Sequence, residues 1–441
     1  MKVLLIQSSL GPYKQVTFPL GLAYLAASLP DHTVKILDLN AIATPNVVLR
    51  DTINDFRPDV IGLSFRNTDD QKRELFNYFY RDYFKAEVQL IKQLAPKSHL
   101  VVGGTGFSLY PNEIMENNPL IDFGVYLEGE ESFPALIANL QAPWIVKGVF
   151  YRENGKLMFT GRGELPDFKN LPLPRRDLVD LACYTHLEGI GIQTTRGCCH
   201  KCSYCVYPYL SGEKIRCRNP ESVVDEIEAL VRDHRISHFF FADSSFAISM
   251  EQARGICEEI LNRGLCVQWG AYFDMQSDEA FLRLAKKAGC TMFIFSPDGY
   301  SNAALNGLGK NYNQQRVRKH LKMMLYHPDF KDVDISYCFM INPPGETLAG
   351  FLKTLLFTYG VKLRAKMGIH KQFHVYLSWI RIEPNTEVYR ISCRQGDVHA
   401  QHELLPENPT NINNLFYRHP KLHFADGIIL GLKYIRRLMK K

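Results

Sequence analysis

Cysteine is missing from the first 182 residues of this 441-residue chain, and all 11 cysteines lie from Cys183 onward. A secreted disulfide scaffold spreads paired cysteines along its length, so an odd, one-sided set points instead to a reducing compartment. No apolar run approaches the roughly 20 residues a membrane-spanning helix needs, and the start, MKVLLIQSSLGPY, is too short in apolar length for a signal peptide. A cytoplasmic protein without a transmembrane segment is the expectation. Charge of one sign is scarce too: 52 Lys and Arg against 46 Asp and Glu leave +6, short of a nucleic-acid footprint. Repeats and low-complexity tracts are absent. What remains, 46% hydrophobic and 22% charged, is ordinary globular composition, and its length exceeds what one core supports.

Along residues 1–141, short β-branched runs alternate with amphipathic stretches, which predicts a Rossmann-like, doubly wound α/β domain. Its strands are expected at Lys2 to Gln7, Thr33 to Leu39, Val60 to Phe65, His99 to Val102 and Phe123 to Leu127. Residues 142–186 read as a connector, with a hairpin turning at Asn154 and Gly155 before the proline-rich LPDFKNLPLPRRD. From 187 to 395 about six further strand–helix units suggest a full or partial (β/α) barrel. A polar, proline-containing stretch and the helical tail FADGIILGLKYIRRLMKK form an extension over 396–441, and the tail's apolar stripe is expected to pack on the protein itself.

Chemistry concentrates after the first barrel strand, in TTRGCCHKCSYCVYPYL, which spaces Cys198, Cys202 and Cys205 as Cys-x-x-x-Cys-x-x-Cys. Thiolates are soft ligands, and three on a short loop suit three corners of a four-iron, four-sulfur cubane. The fourth iron then stays open to chelate a small molecule. A zinc site is the alternative, with Cys199, His200 or Cys217 as a fourth ligand, but no second ligand pair follows at zinc spacing.

With these residues the chain resembles the radical S-adenosylmethionine (SAM) superfamily, from Gly189 to Arg394. The resemblance implies that the open iron binds SAM and that Tyr204 lies against its adenine. FADSSF (Phe241 to Phe246), SPDG (Ser296 to Gly299), MINPPGET (Met340 to Thr347) and WIRIEPNT (Trp379 to Thr386) fall at the superfamily's SAM-binding strand ends. Asp243, Ser244, Ser296 and Asp298 are then candidates for the ammonium and ribose, and Arg381 for the carboxylate. Cys199 stands where many relatives have proline, and Ala242 where many have an acid. Trp269, Tyr272, Tyr376 and Trp379 suggest an aromatic-lined substrate cavity or, equally, core.

The first domain, through FPLGLAYLAASL, DVIGLSFRNTDD, VVGGTGFSLYP and YLEGEESFPALI, is similar to that of cobalamin-dependent radical SAM enzymes. Ligands of such sheets lie beyond the strand carboxyl ends, which here carry Ser8, Ser64, Arg66, Asn67, Gly103, Gly104, Thr105, Gly106, Glu128 and Gly129. The Asp-x-His-x-x-Gly signature is absent, and the domain's histidines, His32 and His99, fall at strand amino ends. Cobalamin is therefore expected without a protein histidine ligand, with Arg66 the candidate for its lower face, unless Arg66 pairs with Asp69 or Asp70. A methylthiotransferase, which carries a second cluster on cysteines of the first domain, fits poorly. The resemblance implies a methyltransferase acting on an unactivated carbon of a small molecule, supplied with electrons by flavodoxin or ferredoxin. A rearrangement enzyme and a non-catalytic cobalamin sensor are the alternatives.

Overall fold

The computed structural model describes residues 1–11, 16–73, 76–370, 372–407 and 412–438. Five parallel strands open the chain: β1 (Lys2–Gln7), β2 (Thr33–Asp38), β3 (Val60–Ser64), β4 (His99–Gly103) and β5 (Phe123–Val125). They agree with the expected strands to within two residues. Side chains along β1 alternate between two cores: Leu4 and Ile6 join one cluster, and Val3 and Leu5 the other. Such two-sided burial is the mark of a parallel sheet covered by helices on both faces. The covering helices are α1 (Leu20–Ala27), α2 (Pro45–Phe56), α3 (Lys85–Leu94), α4 (Thr105–Leu109), α5 (Pro111–Asn117) and α6 (Ser132–Ala138). α2 and α5 each begin on a proline, whose missing N–H costs nothing there.

The hairpin expected in the connector belongs to this sheet. β6 (Val149–Glu153) pairs antiparallel with β5, and β7 (Lys156–Phe159) with β6, giving the order β2-β1-β3-β4-β5-β6-β7. β5, three residues long, would otherwise present an open edge. Asn154 and Gly155 both have positive φ, 51° and 79°, as a two-residue hairpin turn requires.

The second half opens with β8 (Gly191–Ile192) and a two-stranded ribbon of β9 (Thr195–Arg196) and β10 (Arg216–Cys217). β11 (His238–Phe241), β12 (Gln268–Phe273), β13 (Cys290–Asp298), β14 (Asp334–Met340) and β15 (Phe373–Ser378) follow β8 in sequential order, all parallel. Among the described residues β15 does not pair with β8, so the barrel is partial. Its helices are α7 (Tyr207–Ser211), α8 (Pro220–His234), α9 (Met250–Asn262), α10 (Glu279–Lys287), α11 (Asn302–Gly307), α12 (Gln314–Tyr326), α13 (Leu348–Arg364) and α14 (Glu387–Gln395). The tail helix α15 (His423–Leu438) seats Ala425 and Ile429 against Phe351, Trp379 and Phe416, while the other stripe residues, Ile428, Leu432, Ile435 and Leu438, lie outside the residues whose side chains are described. Residues 439–441, including the tail's Lys440 and Lys441, lie outside the described residues.

Candidate active site

The cysteine loop leaves the sheet through Gly197, whose φ is 87° and whose added Cβ would lie 2.1 Å from the Lys214 carbonyl oxygen, so only glycine fits. Cys198 N–H then donates to Gly212 O at 3.0 Å, and Cys205 N–H to Cys202 O at 3.1 Å. The three thiols feel one another's charge, and burial pushes all three above the usual cysteine range, Cys205 to about 12. Thiolates there need a positive partner, which suits iron. Among the described residues no three His, Cys, Asp or Glu side chains are arranged around a single ion; a cubane gives each thiolate its own iron.

Asp243 is buried below this loop. It accepts from Thr194 N–H (2.8 Å), Thr195 N–H (3.0 Å) and Thr194 Oγ1–H (2.5 Å). Burial raises its carboxyl to about 6 against the pull of those donors. Both its oxygens hold the strand that feeds the cysteines. The Ser244 hydroxyl lies 3.5 Å from Gly197 O and bonds the Cys198 thiol.

Tyr204 O–H donates to Asp298 Oδ2 at 2.5 Å, and Lys310 Nζ donates to the same oxygen at 2.5 Å. Lys310 Nζ also lies 3.4 Å from Cys202 Sγ and 3.4 Å from Ser296 O. Burial alone would lower the ammonium, but Asp298 together with Tyr204, Tyr312 and Cys202 outweighs it and holds Lys310 well above the usual lysine range. Lys310 thus joins the candidate adenine and ribose contacts to the cysteine loop. It follows α11 without a motif of its own, so no pattern in the chain signals it.

Arg381 belongs elsewhere, which corrects its assignment to a carboxylate of SAM. Nε lies 3.1 Å from Asp69 Oδ2, and three further N–H groups are on the carbonyls of Ile382, Leu404 and Leu415. Four of its five donors are thus engaged, and the side chain is buried away from any cavity-facing surface. Trp269 and Trp379 are core residues, whereas Tyr272 and Tyr376 are 41% and 53% exposed on the inner face of the open sheet.

A cavity of about 560 Å³ lies between the two domains. Ser64, Arg66, Gly103, Gly104, Thr105, Glu128 and Gly129 line it from the first domain, and Gly191, Gln193, Phe240 and Ala242 from the barrel. Arg66 bonds Thr17 Oγ1 and Asn67 Oδ1, both at 3.0 Å, and not Asp69 or Asp70. Gly104 has φ 99°, and a Cβ there would meet Phe65 O at 2.7 Å. Three expected residues do not line this cavity. Ser8 is buried and donates to Glu87 Oε2 at 2.6 Å, Asn67 holds Arg66, and Gly106 lets α4 start against the Phe65 backbone.

Glu128 lines the cavity but is ion-paired. Arg196, two residues before Cys198, reaches Glu128 at 2.7 Å and Glu130 at 2.6 Å, and Arg216 also pairs with Glu128. The Arg196 guanidinium lies over the rings of Phe168 and Tyr24. One side chain of the cysteine strand is therefore fixed to the strand ends of the first domain. The sequence did not reveal this, because the partners are 66 and 68 residues apart.

Residues 9–137 match the family model for the B12 binding domain, and residues 192–358 that for the radical SAM superfamily. An uncharacterized methyltransferase of Pyrococcus horikoshii is 28% identical over 311 residues, covering 68% of this chain and 64% of the relative. The anaerobic magnesium-protoporphyrin IX monomethyl ester cyclase of Rubrivivax gelatinosus is 26% identical over 63% of this chain and 50% of its own length. The chain thus spans between half and two thirds of these relatives. Among solved structures, the radical SAM methyltransferase TsrM from Kitasatospora setae, with cobalamin and a [4Fe-4S] cluster bound, superposes with a TM-score of 0.74 at 22% identity, covering 89% of this chain and 78% of that one. That likeness shows a shared fold.

Proposed function

For a chain that belongs to the radical SAM superfamily and carries a B12-binding domain ahead of the radical SAM domain, we propose a cobalamin-dependent methyltransferase that acts on an unactivated carbon of a small molecule. The observation that carries this reading is the cavity itself. Glycine turns of the B12-binding domain form one wall, barrel strand ends form the other, and Arg196 ties that junction to the cysteine loop.

The residues present fit the groups this requires. Cys198, Cys202 and Cys205 would hold three irons of a four-iron cluster, and Ser244, Ser296, Asp298 and Tyr204 would contact SAM. Gly103, Gly104 and Gly129 leave backbone open to a corrin or its nucleotide tail. When bound, the cluster with SAM supplies a 5′-deoxyadenosyl radical, and cobalamin a transferable methyl group. Lys310 keeps a positive charge against Cys202 and holds Asp298 in place. Phe18, Leu20 and Phe240 wall the cavity and keep water from a reactive radical. Among the described residues no histidine lines the cavity and Arg66 does, which supports a cobalt lower face without a histidine ligand.

Anaerobic reconstitution with iron, sulfide and cobalamin, followed by turnover with methyl-labelled SAM and an external one-electron donor such as reduced flavodoxin or ferredoxin, tests the proposal. Label in the product supports it. Release of 5′-deoxyadenosine with an isomerised or cyclised, unlabelled product overturns methyl transfer and favours rearrangement. That second reading is kept because a cyclase is among the relatives.

A further inference from the structure

Helix α13 is inside out. The side chains it buries are Gly350, Phe351, Thr354, Thr358 and Val361, and its two buried threonine hydroxyls turn back on the carbonyls of Gly350 and Leu355. The side chains it exposes are Leu348 (53%), Leu352 (50%), Leu356 (76%), Tyr359 (54%) and Leu363 (61%), and Met367 (73%) follows in the next turn. At 100° per residue the five helical positions fall within an arc of about 80°, a continuous line along a helix about 25 Å long. Helices on a water-facing surface have the opposite arrangement, and so long an apolar patch marks a contact site.

Charge around the line selects the contact. From Thr347 to Lys371 the sequence contains Lys353, Lys362, Arg364, Lys366 and Lys371 and no Asp or Glu. Lys353 and Arg364 are exposed beside the stripe. A second copy of this face would set cations against cations. An anionic bilayer surface offers acyl chains to the leucines and phosphate to the cations at once. Among the described residues no helix is long and apolar enough to cross a membrane, so the contact is made from one side.

We propose that α13 docks the protein flat on an anionic membrane surface, with Leu352, Leu356 and Leu363 entering the interface between headgroups and acyl chains. Cosedimentation of the reconstituted holoprotein with vesicles tests this. Vesicles of phosphatidylcholine with phosphatidylglycerol are expected to bind the protein at least about tenfold more strongly than phosphatidylcholine alone, and high salt to narrow that gap. Combining Leu356→Glu with Leu363→Glu removes binding while SAM cleavage and thermal midpoint stay unchanged. Combining Lys353→Glu with Arg364→Glu lowers binding to the anionic vesicles only. Failure to bind either vesicle, or undiminished binding by the double-glutamate leucine variant, overturns the proposal. So does a dimer in light scattering that the leucine variant splits while vesicles are ignored, because the stripe would then join two copies of the chain.

Discussion

The guanidinium of Arg196 and the carboxylate of Glu130 stand 2.6 Å apart, both almost fully buried, and they join the strand that delivers Cys198 to the B12-binding domain. Removing one member of a buried pair leaves the other charge without compensation, a loss of about 3–5 kcal/mol. Arg196→Ala should therefore lower the urea midpoint of the apoprotein sharply. Arg196→Lys keeps the charge but not the planar fork that spans Glu128 and Glu130, and should fall between the two. Equal midpoints for all three proteins would show that the contact does not couple the domains.

Replacing Cys198, Cys202 and Cys205 with alanine should abolish cluster iron and 5′-deoxyadenosine formation while leaving cobalamin binding in place. The three thiols are not among the cavity-lining residues, so the two cofactor sites are separable. Iron, cobalt and 5′-deoxyadenosine measured on one preparation check this, and parallel loss of cobalt would contradict it.

Gly104→Ala places a methyl group 2.7 Å from Phe65 O at a φ of 99°. The cost should exceed about 1 kcal/mol, because alanine is strained there and the neighbour is backbone that cannot move aside. Lower thermal stability together with weaker cobalamin retention is expected, since Gly104 also lines the cavity.

Glu87 sits beneath the end of β1, where Ser8 Oγ–H donates to its Oε2 (2.6 Å) and Ser9 N–H to its Oε1 (3.0 Å). Burial raises its carboxyl from 4.5 to about 7. A carboxyl that holds its proton more tightly when folded stabilises fully below about pH 4.5, and this contribution fades as pH rises through about 7. Glu87→Gln is neutral throughout. Its unfolding free energy relative to wild type should therefore shift in its favour by about 3 kcal/mol across that window. Urea titrations at the two ends measure the difference, and a difference independent of pH would refute the assignment.

Much of the fold was legible in the sequence because parallel strands are buried on both faces and read as short apolar runs between turn residues. The cysteine triad was legible because its ligands lie within eight consecutive residues. Contacts between distant parts of the chain were not. Arg381 looked available to a ligand from its position near a strand end, but its partner Asp69 is 312 residues away. The hold of Asp243 on the backbone of Thr194 and Thr195 was equally unsignalled. The hairpin was read as a connector, since no local pattern states that β6 will cover the edge of β5.

The seam between β15 and β8, unpaired among the described residues, would set how molecules reach the proposed reaction centre. A closed barrel admits only what passes through its mouth, whereas a sheet left unzipped along one seam can accept a long or bulky compound sideways, with its unreactive part remaining outside. Reach along the seam, rather than total molecular size, would then govern which compounds are accepted.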